Sequence, residues 1–173
     1  MKINKEIAKE YPWNTKWDRR SKILSMAIPE GISVIDLGGG MGTLDKYLKN
    51  CAYKSIDLKK WTDETVVADF NKGEFPDIDN ATFQMIVCQG VIEYITDPEL
   101  FLIKIKKYGR NLLITYRQVR ADENKHLYKN NLNNDEFMEM LRLAGWDILF
   151  SRTIASSQKL FYCSKKDDAR DNN

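Results

Sequence analysis

The spacing of apolar residues changes several times along the chain, and each change marks an element. From Asn14 onward, Trp17, Leu24, Ala27 and Ile28 trace one face of a helix, with Ile23 beside them and Arg19, Arg20 and Lys22 elsewhere on the wheel. Pro29 and Gly31 end that helix. Ser33 to Leu37 is a β-branched run and predicts a strand. Closely spaced glycines follow, and then Leu44, Tyr47 and Leu48 return to helical spacing, which predicts a helix over about Met41 to Asn50. Tyr53 to Asp57 and Val66 to Asp69 predict two further short strands. Leu58 to Thr65 between them holds a helical turn or two, too little for a full crossover helix.

Residues 71–82 carry Gly73, Pro76 and several Asp and Asn, a loop signature. Phe83 to Cys88 is a continuous apolar run, as in a strand buried on both faces. Asp97-Pro98-Glu99 combines an N-cap, a first-turn proline and an early acid. Phe101, Leu102, Ile105 and Tyr108 give that helix a buried side, and Gly109 ends it. Asn111 to Tyr116 is another buried strand. The polar loop from Arg117 to Asn131 is long enough to suggest a functional role. Asn133 and Glu136 form a capping-box pair for a helix through Phe137, Met140, Leu141 and Ala144, closed by Gly145. Trp146 to Ile154 and Lys159 to Cys163 are spaced to pair as an antiparallel hairpin.

Together these elements predict an α/β fold. It is Rossmann-like: a seven-stranded, mostly parallel sheet with a C-terminal antiparallel hairpin, helices on both faces, and a shortened helix between strands 2 and 3. Residues 1–166 are expected to form a single domain with residues 1–12 as a flexible lead-in, and residues 167–173 a disordered tail. The length of 173 residues suits one core rather than two. A net charge of +2, from 27 basic and 25 acidic residues, gives no field that argues for nucleic acid or a membrane surface. No stretch has the length of a transmembrane helix, and the N-terminus has no secretory h-region. Cys51, Cys88 and Cys163 are far apart and odd in number, so they suggest neither a disulfide framework nor a metal site. A cytoplasmic setting is the simplest expectation.

The candidate chemistry starts in Asp36-x-Gly38-Gly39-Gly40-x-Gly42. The spacing departs from the dinucleotide fingerprint: counted from Gly38 the third glycine is one residue early, and counted from Gly40 the third position is Asp45. It resembles instead the first motif of class I S-adenosylmethionine-dependent methyltransferases. Asp57 ends the second strand, about twenty residues past the first acid, where an acid can bind ribose hydroxyls. Asp69-Phe70 ends the third, where an acid can accept from an adenine amino group and a ring can pack on the base. Gln89-Gly90-Val91-Ile92-Glu93-Tyr94-Ile95-Thr96-Asp97-Pro98 resembles the post-strand-4 stretch of the small-molecule group in that superfamily. Ala144-Gly145-Trp146 resembles its entry to the terminal hairpin. The likeness spans about residues 20 to 165.

That resemblance implies S-adenosyl-L-methionine as cofactor, held by Asp36, Gly38, Gly39, Gly40, Gly42, Asp57, Leu58, Asp69, Phe70 and Gln89. It implies methylation of a small-molecule or sugar-like acceptor, at oxygen in preference to nitrogen; no Asn-Pro-Pro-Tyr-like tetrapeptide follows the fourth strand, which argues against amino-group methylation of adenine or glutamine. Nucleic acid and membrane partners are not expected. The acceptor chamber must come from the N-terminal segment and the loops after strands 4 and 5, which are short. It is therefore open, completed by a second subunit in a homodimer, or suited to a tethered substrate. A loose likeness to the methyltransferase-like partner of homoserine acyltransferase carries the alternative of a non-catalytic cofactor-binding protein.

Candidate catalytic residues are His126, the only histidine, and Glu93. His126 is either a base over the methyl-transfer site or a solvated loop residue. Glu93 is either a base or a structural acid at the site floor. Glu93-Tyr94 stands where the family usually has Glu-His. Methyl transfer can also proceed without a base, because proximity and orientation carry much of such a displacement. Tyr11, Trp13 and Trp17 either wall the site or pack the first helix on the sheet. Arg117, Arg120 and Lys125 make the loop after strand 5 basic, which suits an acidic substrate and equally a solvated loop.

Overall fold

In the computed structural model the described residues are 15–78, 82–118 and 128–166. Their strands are β1 (Ser33–Leu37), β2 (Ala52–Asp57), β3 (Val66–Val67), β4 (Met85–Gln89), β5 (Asn111–Arg117), β6 (Trp146–Ala155) and β7 (Gln158–Lys165). They form one seven-stranded sheet in the order β3-β2-β1-β4-β5-β7-β6. Strands β1 to β5 run parallel, and β7 lies antiparallel between β5 and β6. The α/β, Rossmann-like architecture with its terminal hairpin is as the sequence predicts.

Side chains alternate between the two faces of the sheet, and each face has its own cover. On one face Ile35, Leu37, Ile86, Cys88, Leu112, Ile114 and Phe161 pack beneath α2 (Pro98–Lys104) and α3 (Asn134–Leu143). On the other, Val34, Met85, Val87, Leu113 and Leu160 pack with Leu24 of α1 (Thr15–Ser25) and with Leu44.

The helices begin where their caps place them. The Asp97 carboxylate accepts from the Leu100 N–H at 3.0 Å, with Pro98 in the first turn. Asn133 Oδ1 accepts from the Asp135 and Glu136 amides, and Glu136 Oε2 accepts from the Asn133 N–H at 2.7 Å, completing the capping box. The Trp146 indole donates to the Leu102 carbonyl at 3.0 Å and pins the start of β6 to α2.

The largest departure from expectation lies between β1 and β2. The helix expected over about Met41 to Asn50 is reduced to one 3-10 turn, Asp45–Tyr47. Both ends of the segment are pinned: the Gly38 N–H donates to the Ile56 carbonyl at 2.7 Å, and the Ala52 N–H to the Ile32 carbonyl at 3.0 Å. After the glycine turn the chain makes only consecutive i to i+3 hydrogen bonds, from the Tyr47 N–H to the Leu44 carbonyl at 2.9 Å and from the Leu48 N–H to the Asp45 carbonyl at 3.2 Å, and Leu48 is already in extended backbone. Leu44 still reaches the core, which accounts for the apolar spacing. Residues 58–65 hold no helical turn either. Turns fill the span, fixed by a Thr62–Thr65 hydroxyl contact of 2.9 Å. The first helix ends at Ser25 and continues only as hydrogen-bonded turns to Ile28. The predicted lead-in and the tail lie outside the described residues.

Phe137 joins α3 to the sheet: it stacks on Tyr116 at 4.3 Å between centroids and meets Phe161 edge-on at 5.2 Å. Phe137→Ala is expected to lower the unfolding free energy by about 3–5 kcal/mol. Asn133→Ala is expected to lower it by about 1 kcal/mol. Urea denaturation followed by circular dichroism measures both, and similar losses for the two variants would contradict this assignment of the core.

Candidate functional site

β1 is flanked by β2 on one side and β4 on the other, so the chain leaves its carboxyl end and that of β4 in opposite directions. A crevice opens at such a reversal. Here it is a cleft of about 560 Å³, lined by Gly38, Gly39 and Gly40 on one wall and by Gln89, Gly90, Val91 and Glu93 on the other. Gly38 has φ of 75°, and a β-carbon on it would collide with the Val91 side chain. The two walls therefore meet only because this residue lacks one.

Asp57 stands at the rim and organises the glycine turn. Its Oδ2 accepts from the Gly40 N–H at 2.9 Å, and its Oδ1 accepts from the Trp61 indole at 2.9 Å and from the Lys59 N–H at 3.1 Å. Asp36 is not in the cleft lining. It has no exposure and lies beneath Gly39, where its Oδ2 accepts from the Tyr53 hydroxyl at 3.0 Å and from the Gln89 amide at 3.4 Å. Gln89 in turn accepts from the Ser21 hydroxyl of α1 at 3.1 Å. Glu93 lines the cleft and is buried, with Oε1 accepting from the Arg117 N–H at 2.7 Å.

Several expected ligands lie elsewhere. Asp69 caps a 3-10 turn by accepting from the Asn71 N–H at 3.0 Å, and it pairs with Lys72 at 3.7 Å. Phe70 belongs to an aromatic cluster with Phe75 and Phe101. Neither lines the cleft, because β3 is two residues long and the chain turns away directly after it. Leu58 points to solvent at 61% exposure, and Gly42 closes the turn by donating to the Gly39 carbonyl at 3.0 Å without facing the cleft. His126, Arg120 and Lys125, with Tyr11 and Trp13, lie outside the described residues.

Other residues enter unannounced. Arg20, on the polar side of the helical wheel, reaches over Gly90 and donates to the Gln89 carbonyl at 3.2 Å. Trp61 lines the cleft too, as do Tyr94 and Tyr128, whose rings stack at 5.3 Å; Trp17, expected either to wall the site or to pack the first helix, is among the lining residues. The Arg117 guanidinium donates to the Tyr128 hydroxyl at 3.0 Å. A tryptophan in a polar loop four residues after Asp57 was a usable signal for Trp61. Periodicity contained none for Arg20.

Among the described residues, three buried side-chain atoms lack a hydrogen-bond partner: Arg20 Nε, Asp36 Oδ1 and Glu93 Oε2. All three belong to the cleft or its floor. Such atoms are costly when left bare, so their convergence marks a place shaped for a polar ligand. Burial pushes both carboxyls up to about 7, against the hydrogen bonds that favour their charged forms. Burial also pushes the Arg20 guanidinium down, with Glu93 and Asp36 acting the other way.

No protein-family model and no curated protein matches the sequence. Solved structures do match. The fold is similar to Burkholderia thailandensis 1,6-didemethyltoxoflavin-N1-methyltransferase, solved with bound 1,6-didemethyltoxoflavin and S-adenosylhomocysteine, at a TM-score of 0.72 and 16% identity over 92% of this chain and 83% of that one. A TehB-like S-adenosylmethionine-dependent methyltransferase from Corynebacterium glutamicum matches at 0.67 and 18% identity, over 94% of this chain and 100% of that one. The (4+2)-cyclase SpnF matches at 0.70 and 13% identity, over 89% and 82%. The chain thus has the class I methyltransferase fold.

Asp36 and Glu93 keep their protons in the folded chain up to about 7, whereas their ordinary values are 3.8 and 4.5. Between those limits the folded state binds more protons than the unfolded one, so stability falls as pH rises. Above about pH 7 both states are deprotonated and the decline levels off. Urea midpoints are expected to fall from about pH 5 to about pH 7, with a shallower slope in Asp36→Asn and in Glu93→Gln. Slopes as steep as wild type in both variants would show that other groups set the dependence.

Proposed function

We propose that the protein is an S-adenosylmethionine-dependent methyltransferase acting on a small-molecule or sugar-like acceptor, at oxygen in preference to nitrogen, in the cytoplasm. The observation that carries this reading is that Arg20 Nε and Glu93 Oε2, both buried and without a hydrogen-bond partner among the described residues, belong to side chains lining one cleft of a methyltransferase fold, with Asp36 Oδ1 in the same condition beneath Gly39. Their chemistry fits the cofactor, which presents an ammonium and a carboxylate at one end and ribose hydroxyls further along. Arg20 suits the carboxylate, and Asp36 beneath Gly39 suits the ammonium by its charge alone, since it does not line the cleft. A carboxylate has about four acceptor positions; the described residues take three on Asp57, and the fourth suits a ribose hydroxyl.

When bound, the cofactor supplies a methyl group whose transfer to the acceptor leaves neutral S-adenosylhomocysteine and releases the acceptor's proton. The chain's part is to orient the reactants and take that proton. Glu93 is the residue we assign to the proton: it lines the cleft, one oxygen is without a partner, and its pKa of about 7 suits a base at neutral pH. Its other oxygen is held by the Arg117 amide, which fixes the carboxylate's orientation.

Isothermal calorimetry with S-adenosylhomocysteine is expected to show one site, weakened about tenfold or more in Asp57→Ala through loss of a charged hydrogen-bond acceptor. No binding by the wild-type protein would overturn the cofactor assignment. In single turnover with an acceptor fraction from cell extract, Glu93→Gln is expected to lower the rate about 100-fold and to abolish its rise through pH 7. Cofactor binding with no turnover in any fraction would favour the non-catalytic partner reading.

A further inference from the structure

Asp57 is held unevenly. Its Oδ1 accepts from the Lys59 N–H at 3.1 Å and from the Trp61 indole at 2.9 Å. Its Oδ2 accepts, among the described residues, from the Gly40 N–H at 2.9 Å. Each carboxylate oxygen has about two acceptor positions, so the fourth position is on Oδ2, the oxygen that touches the glycine turn. Two of the three donors are backbone amides. The indole is the donor that the choice of side chain decides.

Trp61 is itself firmly set. It is 7% exposed and lines the cleft, in a segment without a helix. Short-range bonds fix the turn instead. The Trp61 N–H donates to the Lys59 carbonyl at 2.9 Å, the Thr62 N–H to the Thr65 hydroxyl at 3.1 Å, and the Thr65 N–H to the Thr62 carbonyl at 3.2 Å. Thr62 and Thr65 are both buried. An indole has one donor and two side-chain torsions, so ordering it costs little entropy. The carboxylate has no comparable stiffness of its own. The last torsion of an aspartate is broad, and its orientation comes from the groups it bonds.

We propose, resting on the cofactor reading above, that Trp61 is a positioning residue for the cofactor's ribose: its indole N–H, with the Lys59 amide, occupies Asp57 Oδ1 and so keeps Oδ2 presented to a ribose hydroxyl. Without the indole donor, Oδ1 keeps only the Lys59 amide among these contacts, and the carboxylate turns more freely. The hydroxyl then meets a less ordered acceptor, and binding must supply the ordering. Trp61 acts through Asp57, so its effect falls on the hydroxyl contact. A tryptophan that only filled space would act alike on every cofactor analogue that fits the cleft.

Calorimetry on the full chain tests this with two ligands, S-adenosylhomocysteine and its analogue lacking the 2′ and 3′ ribose hydroxyls. The wild-type chain is expected to prefer the hydroxylated ligand about tenfold or more, as for a hydrogen bond to a charged acceptor. Trp61→Phe keeps a ring and removes the N–H. It is expected to weaken S-adenosylhomocysteine about fivefold and the analogue less than about twofold. Asp57→Ala is expected to abolish the hydroxyl preference, and adding Trp61→Phe to it to cost no further hydroxyl preference. Urea midpoints show whether each variant is folded. If the phenyl ring is not accommodated, Trp61→Met carries the same comparison.

Equal weakening of both ligands by Trp61→Phe would overturn the proposal and return the residue to packing. An unchanged affinity for S-adenosylhomocysteine in that variant would overturn it too, as would a wild-type chain that does not distinguish the two ligands. In all three cases S-adenosylhomocysteine still binds, so the cofactor reading stands and only the assignment at the ribose falls. If the wild-type chain binds neither ligand, the cofactor reading falls and the role of Trp61 with it.

Discussion

A carboxylate sealed from solvent governs one end of this molecule. Asp36 sits at the end of the central strand with no exposed surface. Removing a carboxylate from water is unfavourable unless it is hydrogen-bonded or protonated. The structure meets that demand by drawing on three other elements: Tyr53 from β2, Gln89 from β4 and, through Gln89, Ser21 from α1. The position of α1 over the sheet is thus coupled to the protonation of a group beneath the glycine turn. Because α1 also carries Trp17 and Arg20, the same network sets where the cleft's cationic wall stands.

Around that buried acid the glycine wall is held by backbone and side-chain hydrogen bonds. With only a 3-10 turn after β1 and none between β2 and β3, no long helix braces the glycine wall. Asp57 substitutes for it. Its two oxygens collect one amide from the glycine turn, one from its own strand end and one indole, tying three short segments to a single side chain. A residue assigned to ligand binding on resemblance is, in the structure, first of all a tie within the site.

The sequence made the regular parts plain and the site only half plain, for physical reasons. Asn133 with Glu136, and Asp97 with Pro98, could be placed from local chemistry because caps depend on neighbours a few residues away. The apolar run at Phe83 to Cys88 announced a strand buried on both faces; the strand is Met85–Gln89, and all of it is buried. Leu44, Tyr47 and Leu48 misled because periodicity records which residues reach the core, not whether the backbone between them coils. Arg20 escaped notice because a helical wheel separates polar from apolar and cannot tell solvent from a polar cavity. Asp69 matched a strand-end position in the chain, yet the brevity of β3 turned it into a cap.

The short β3 has a further consequence. The sheet ends there in two paired residues, Val66 and Val67, the second half exposed, beside a helix-free segment. Elements with so little packing open locally at a small fraction of the global unfolding free energy. Their amides are expected to exchange with solvent before those of β4 or β5, which sit in the middle of the sheet. Asp57 is the last residue of β2 and also the rim of the cleft, so opening that edge loosens the glycine wall with it. A molecule that engages the remaining oxygen valence of Asp57 therefore does more than bind: it finishes the edge of the sheet, and its arrival can be timed by the slowing of exchange at Val66 and Val67.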